Sequence, residues 1–496
     1  MELKVKNLNW SAGVPVAILN QVTAEKLGVE VHDRVLIKNV SDGGKQMHVI
    51  LDITSDLVKP KQIAISQEVR DQINVQKGQR VDIMIASSSE SLSFIKDKLN
   101  NKELNQKQID IIISEIVNNT LSEAELSLFI SAMYKNGMTL KETIALIKSI
   151  SKTGNSIKLN KKYVVDKHCI GGVPGNRTTP LVVSICAAAG LTMPKTSSRA
   201  ITSPAGTADV IEAIAQVDFP VKELKKIILK TNACMVWGGG LGLVPADSKI
   251  IHIEKMLKLD PEAQLLASIM SKKLAMGSSY ILIDIPYGKT AKVSKQKALK
   301  LKREFQTLAK HFHKELKVVL TDGSQPIGNG IGPILELIDI IAILDPKKQG
   351  PKDLEDKAVF LAGQLIDLSG KTKKNQGEKL AREILASGKA FEKFKEIIKA
   401  QKGDVSKLNK LAPGKYKKTI YCKRTCKIAD IDNKQMTQLA RIAGCPADKS
   451  TGVFLYKRKG NIIQKREPII TIYAETWFRL RAAVSYYKKN NPFSFK

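Results

Sequence analysis

Asp166-Lys167-His168-Cys169-Ile170-Gly171-Gly172-Val173-Pro174-Gly175-Asn176-Arg177-Thr178-Thr179 follows a short apolar strand (Tyr163, Val164, Val165) and precedes an apolar helix from Leu181 to Ala189. A lysine, three glycines and two threonines between strand and helix are what an anion needs. Backbone N–H groups and a helix N-terminus supply partial positive charge, and Lys167 supplies a full one. A plain strand–helix turn needs fewer glycines and no lysine. The stretch therefore predicts a phosphate site held by Lys167 and the backbone of Gly171 and Gly172. It does not fit G-x-x-x-x-G-K-[ST], which disfavours ATP hydrolysis, and it lacks the G-x-G-x-x-G of a dinucleotide site.

Around this stretch, from about 160 to 345, strand-like runs alternate with helical ones. Tyr280-Ile281-Leu282-Ile283-Asp284-Ile285 and Val318-Val319-Leu320-Thr321 are the clearest strands. Continuous β-branched runs spaced by helices predict a mostly parallel sheet with both faces covered. Its ligands would lie beyond the carboxyl ends of the strands. The expected fold is multidomain α/β. Residues 1–86 read as a small β-rich, barrel-like domain with an internal echo. Val16-Ala17-Ile18 to Asp33-Arg34-Val35-Leu36-Ile37 is matched by Ile63-Ala64-Ile65 to Gln79-Arg80-Val81-Asp82-Ile83, and two such halves pair because neither buries its apolar face alone. Ser87-Ser88-Ser89 reads as a linker. Residues 91–152 read as a helical domain, joined by part of 245–278, with capping boxes at Ser122/Glu125 and Thr139/Glu142 and a core stripe of Leu126, Phe129, Ile130 and Met133. Residues 160–410, interrupted by that helical insertion, form the large mixed or parallel-sheet α/β domain. Residues 415–496 form a C-terminal α+β domain.

Three further segments carry chemistry. Residues 195–209 place six hydroxyls and Arg199 before a helix, which suits a second part of the anion site or ribose hydroxyls. Asp260-Pro261 predicts an N-cap followed by proline at the first helical position, and Ser268 and Lys272 then share one helix face. By spacing alone they are equally a base-contacting pair or an ordinary surface. The run Asp322-Gly323-Ser324-Gln325-Pro326-Ile327-Gly328-Asn329-Gly330-Ile331-Gly332-Pro333 is equally a close backbone turn at the ligand end or a lid or hinge.

Taken together, Lys167-His168-Cys169-Ile170-Gly171-Gly172, Ser197-Ser198-Arg199-Ala200-Ile201-Thr202 with Gly206-Thr207-Ala208-Asp209, and Ala267-Ser268-Ile269-Met270-Ser271-Lys272-Lys273 resemble the thymidine/pyrimidine-nucleoside phosphorylase family. The N-terminal domain and the form Gly172-Val173-Pro174-Gly175-Asn176-Arg177-Thr178-Thr179 resemble its long subgroup. Bacterial proteins of the thymidine type and archaeal AMP phosphorylases stand together there. The resemblance implies a helical domain, an α/β domain with the phosphate site, a cleft that closes, a C-terminal α+β domain, and a homodimer or larger homo-oligomer. It implies that Lys167, Cys169, Ser197 and Thr207 bind phosphate and that His168, Ser268 and Lys272 bind the base. In the AMP branch it implies nucleotide binding by Gly172, Ser198, Arg199, Ala200, Ile201, Thr202, Ser203, Thr207, Ser268 and Lys292. His168 and Asp260, the latter as proton donor, are the candidate catalytic groups. Cys169 stands where the short thymidine enzymes have serine, and Ile253 stands where they have a base-binding arginine.

The implied activity is phosphorolysis of an N-glycosidic bond by a pentosyltransferase of nucleotide salvage and pyrimidine metabolism. Thymidine plus phosphate is the expected pair, giving thymine and 2-deoxyribose 1-phosphate. The alternative is AMP plus phosphate, giving adenine and ribose 1,5-bisphosphate. No cofactor and no metal is expected, since phosphate is a co-substrate. Net charge is +32 over 496 residues, nearly all of it lysine, with a denser stretch near 402–427. A basic RNA- or protein-binding module with a vestigial pocket is the further alternative. Aromatic residues make up only 5% and do not interleave with the basic stretch, so no specific nucleic-acid partner is expected. No apolar run reaches membrane length and no leader pattern opens the chain, which predicts a cytoplasmic protein without a membrane partner. Six scattered cysteines suit a reducing compartment, and Cys422 and Cys426 read as chance surface thiols.

Overall fold

The computed structural model describes the chain apart from residues 7, 42–43, 86–88 and 201–202. Two candidate site residues, Ile201 and Thr202, and most of the expected serine linker lie outside the described residues. Contacts divide the chain into two units, Met1–Thr153 with Val244–Ser268, and Gly154–Leu243 with Ile269–Lys496.

In the first unit, β1 (Glu2–Lys6), β2 (Val16–Asn20), β3 (Arg34–Asn39), β4 (Gln46–Thr54), β5 (Gln62–Ile65) and β6 (Arg80–Ile85) close into a barrel in the order β1-β5-β2-β4-β3-β6. The internal echo becomes two strand–helix–strand halves. β2, helix Gln21–Leu27 and β3 repeat as β5, helix Gln67–Ile73 and β6. Each helix stops at a left-handed residue, Gly28 and Asn74. Alternation then puts Ala17, Leu19, Val35, Ile37, Val81 and Ile83 inside.

Helices Ser91–Leu99, Gln106–Val117, Glu123–Asn136, Leu140–Lys152 and Pro245–Leu257 complete this unit. Both capping boxes form, and a third at Asn105/Gln108 starts helix Gln106–Val117. The stripe Leu126, Phe129, Ile130 and Met133 is buried. Glu142 closes its box and also takes buried Lys98 at 2.8 Å, so its carboxylate is satisfied without water.

In the second unit, β7 (Val165–Cys169), β8 (Met193–Ser197), β9 (Ala233–Trp237), β10 (Tyr280–Tyr287) and β11 (Glu315–Asp322) form parallel ladders β11-β10-β7 and β8-β9, joined by a parallel bridge between Val164 and Thr192. The strand runs further than the sequence suggests: Lys167, His168 and Cys169 lie in β7, and the turn begins at Ile170. The next helix is Thr178–Ala188, buried from Thr178 to Ala187, which accounts for its lack of a polar face.

β12 (Gly330–Ile331), β13 (Tyr416–Tyr421), β15 (Gly452–Leu455) and β17 (Pro468–Ala474) make a sheet in the order β12-β15-β17-β13, while β14 (Cys426–Ile431) pairs with β16 (Ile462–Ile463) and β18 (Phe493–Phe495). Helices Asn433–Ala443 and Trp477–Lys489 pack on these strands. Cys422 is not a surface thiol: it is buried, and its Sγ lies 3.3 Å from that of Cys426.

Candidate phosphate and sugar site

The site gathers at the carboxyl ends of β7, β8 and β10, where a parallel sheet leaves room for a ligand. Lys167 is 1% exposed, and its Nζ donates to Thr178 Oγ1 at 2.7 Å, at the first turn of the following helix. Burial holds its pKa below the ordinary lysine range. Gly171 and Gly172 both have left-handed backbones, with φ of 86° and 89°. A Cβ on Gly172 would come within 2.7 Å of the Lys292 backbone nitrogen, so glycine is required there for both reasons. Lys292 itself is exposed.

Behind Lys167 lies a buried ionic layer that the sequence reading did not assign. Asp166 meets Lys273 at 2.6 Å and Lys195 at 3.2 Å, all three being buried. Asp284 meets Lys357 at 3.3 Å and accepts from Thr321 Oγ1 at 2.6 Å. Burial would raise the Asp284 pKa, but Lys357 and Lys167 outweigh it and hold it below the usual carboxylate range. Four lysines (167, 195, 273, 357) thus face two carboxylates. An incoming anion would favour the charged form of these lysines.

Cys169 lies within the field of the Asp284 carboxylate. Asn176 Nδ2 donates to its sulfur at 3.4 Å. Burial pushes the thiol pKa up, with Asp284 adding to the effect, and keeps it neutral. For His168, burial comes first, followed by Lys273, Lys195, Lys272 and Lys167; together they hold its pKa well below the ordinary histidine value. It is a neutral imidazole, able to accept as well as donate.

The hydroxyl-rich loop enters from β8. Ser197 Oγ donates to the Val236 carbonyl at 3.3 Å, Thr207 Oγ1 accepts from Arg177 at 3.2 Å, and Ser203 Oγ donates to the Ala205 carbonyl at 2.7 Å. Arg177 also pairs with Glu336 at 2.7 Å. Two further polar atoms, Asn176 Oδ1 and Thr196 Oγ1, are buried with no hydrogen-bond partner. Burying such atoms unpaired is costly, which marks them as ligand-facing candidates that motif reading passed over. Arg199 forms two bonds with Glu212 and lies over the Trp237 ring, and Ala200 donates to Asp209 at 2.7 Å. Ser198 is exposed.

Two expectations shift. Helix Glu262–Ala275 starts one residue late, with the Pro261 carbonyl accepting from Leu265, so Asp260 precedes the cap position rather than filling it. The glycine-rich run 322–333 is stitched down rather than hinged. Asp339 accepts from Asn329 and Gly330 at 2.6 and 2.7 Å, Ile327 donates to the Pro174 carbonyl, and Arg458 donates to the Gly328 carbonyl. Its end is strand β12. Asp260 and Ser268 fall in the first unit; Lys167, His168, Cys169, Gly171, Gly172, Ser197, Thr207, Lys272 and Lys292 fall in the second.

The sequence matches the helical bundle domain of the glycosyl transferase family at residues 92–154 and its a/b domain at 161–391. Among similar proteins are the AMP phosphorylases of Pyrococcus abyssi, at 44% identity, and Thermococcus kodakarensis, at 41%, each alignment covering 99% of this chain and 97% of the relative. The crystal structure of anthranilate phosphoribosyltransferase (TrpD) from Thermus thermophilus shares the fold. Its TM-score is 0.52 at 17% identity, over 62% of this chain and 99% of that one. The chain belongs to the pyrimidine-nucleoside phosphorylase family, in the subgroup of the AMP phosphorylases, and is an enzyme of the pentosyltransferase class. Among the described residues no helix is long and apolar enough to cross a membrane.

Proposed function

We propose that the enzyme splits AMP with inorganic phosphate, giving adenine and ribose 1,5-bisphosphate. The observation that carries this reading over thymidine is full-length similarity to relatives named AMP phosphorylase, at 40% to 44% identity for the Thermococcus, Methanococcus and Pyrococcus proteins. Ile253 supports it. At the position where the thymidine enzymes carry a base-binding arginine, this chain has a core side chain that is 3% exposed.

Phosphate is held by Lys167, the backbone of Gly171 and Gly172, and the hydroxyls of Ser197 and Thr207. One of its oxygens bonds to C1′ as the bond from C1′ to the base breaks, through a sugar with oxocarbenium character. Positioning and fixed charge do most of the work. The electron pair of the broken bond leaves with the base. A purine takes it best when protonated on the ring, and Asp260 is the proposed donor. Ser268 and Lys272 contact the base, neutral His168 offers it a hydrogen bond, and Lys292 and the residues 198–203 hold the nucleotide.

The test is to incubate the protein with phosphate and AMP, thymidine or uridine and to follow free base. Adenine release alone is expected. Thymine release without adenine would return the reading to the nucleoside enzyme, and no release from any substrate would end both.

A further inference from the structure

Lys449 lies 240 residues along the chain from Asp209, in the connection between helix Asn433–Ala443 and β15, yet it reaches the hydroxyl-rich loop. Its Nζ sits 2.8 Å from Glu212 Oε2 and 3.5 Å from Asp209 Oδ1. Both carboxylates hold the base of that loop. Asp209 Oδ2 accepts the N–H groups of Ala200 at 2.7 Å and Gly206 at 2.8 Å, tying the start of the loop to its end. A Cβ on Gly206 would collide with the Ser198 carbonyl and lie 2.8 Å from the Ala200 nitrogen, so the two ends touch. Glu212 fixes Arg199 through bonds of 2.6 and 2.5 Å.

Charge gives Lys449 a second task. Arg199 faces the carboxylates of Asp209 and Glu212, with Asp218 also in its field, which leaves a surplus of negative charge beside a site for dianions. Lys449 offsets it. Lys449 also acts through the backbone: its carbonyl accepts the Ile334 N–H at 2.9 Å, at the start of helix Pro333–Leu344. Glu336 of that helix holds Arg177, which donates to Thr207 Oγ1 and to the Ala205 carbonyl.

We propose that Lys449 is a positioning residue for the substrate site: it locks the base of the hydroxyl-rich loop and offsets its surplus negative charge, so that the loop can accept a phosphorylated substrate. This rests on the phosphorolysis reading above. Lys449 touches no substrate itself. Its side chain is partly exposed, so its replacement leaves a charge that water can still solvate and the fold persists.

The test is Lys449→Met beside Lys449→Arg in the full-length protein. In Lys449→Met, KM for AMP and for phosphate is expected to rise about tenfold with kcat little changed, and Lys449→Arg should recover most of the loss. The ligand-free melting temperature should move little, while the stabilisation by phosphate should shrink. Unchanged KM values with wild-type stabilisation by phosphate would overturn the proposal. So would a large fall in ligand-free melting temperature with KM intact, since that marks a structural tie only. Amide exchange of the ligand-free protein judges the proposal even if AMP is not the substrate. Faster exchange at residues 199–200 and 206–209 in Lys449→Met supports it, and exchange equal to wild type overturns it.

Discussion

Lys273 Nζ lies 2.6 Å from Asp166 Oδ2 inside the α/β core, and each residue is the chain neighbour of a group assigned to substrate, Lys272 and Lys167. The ion pair joins helix Glu262–Ala275 to β7 at the point where both carry site residues. Lys195 from β8 shares the same carboxylate at 3.2 Å. Burial lowers the Lys273 pKa to about 7, against the opposing field of Asp166. The pair spends stability on geometry: an apolar contact would hold these elements together at lower cost, but without the charged layer that Asp166, Lys195 and Lys273 form.

Lys273→Met should therefore be strongly destabilising and nearly inactive. Breaking a buried pair costs about 3 kcal/mol or more. Lys195 remains to hold Asp166, whereas Asp166→Asn leaves two buried lysines without their carboxylate and should cost more. Thermal melts of the two variants, read side by side, check the order. Equal melts for Asp166→Asn and wild type would remove the pair from the account.

Lys167→Ala should abolish sugar-phosphate formation in a protein that still folds. A charge-assisted contact to phosphate in a water-poor site is worth a factor of about 100 or more in kcat/KM. Circular dichroism tests the fold, and turnover with phosphate tests the role. Wild-type turnover in this variant would sink the phosphate site.

Gly172→Ala should remove stabilisation by phosphate. The new methyl meets the Lys292 backbone at under 3 Å while the backbone is held at φ 89°, so either the turn or the 288–293 connection must move. The melting shift produced by millimolar phosphate, compared in the two proteins, is the measurement. An undiminished shift would show that the turn does not touch the anion.

The pH dependence follows from His168. Its folded-state pKa lies well below the unfolded value near 6.5, through burial first and then the surrounding lysines. The unfolded chain binds this proton more readily, so stability is complete above about pH 6.5 and falls as pH drops below it, by at most about 1.4 kcal/mol per pH unit for one group. His168→Gln should flatten that slope between pH 6.5 and 5. The pH–rate profile should show no His168 limb near 6.5. Identical acid sensitivity in wild type and His168→Gln would refute an imidazole held neutral.

Much of this molecule is legible from local pattern. Local chemistry wrote the capping boxes at Ser122 and Thr139, the repeated halves of the barrel, the glycines at 171 and 172 that only a left-handed turn explains, and the family itself. Each depends on residues a few positions apart, so spacing suffices. Tertiary structure decided what depends on residues far apart in the chain. It set Asp166 between Lys195 and Lys273, put Cys169 in the field of Asp284, pinned the 322–333 run through Asp339 and Arg458, and brought Lys449 to the hydroxyl-rich loop. A charge has no periodicity, and its partner can come from any strand or helix that packing brings near. The sequence could therefore show the glycine turn beside Lys167, but only the fold could show which buried charges surround it.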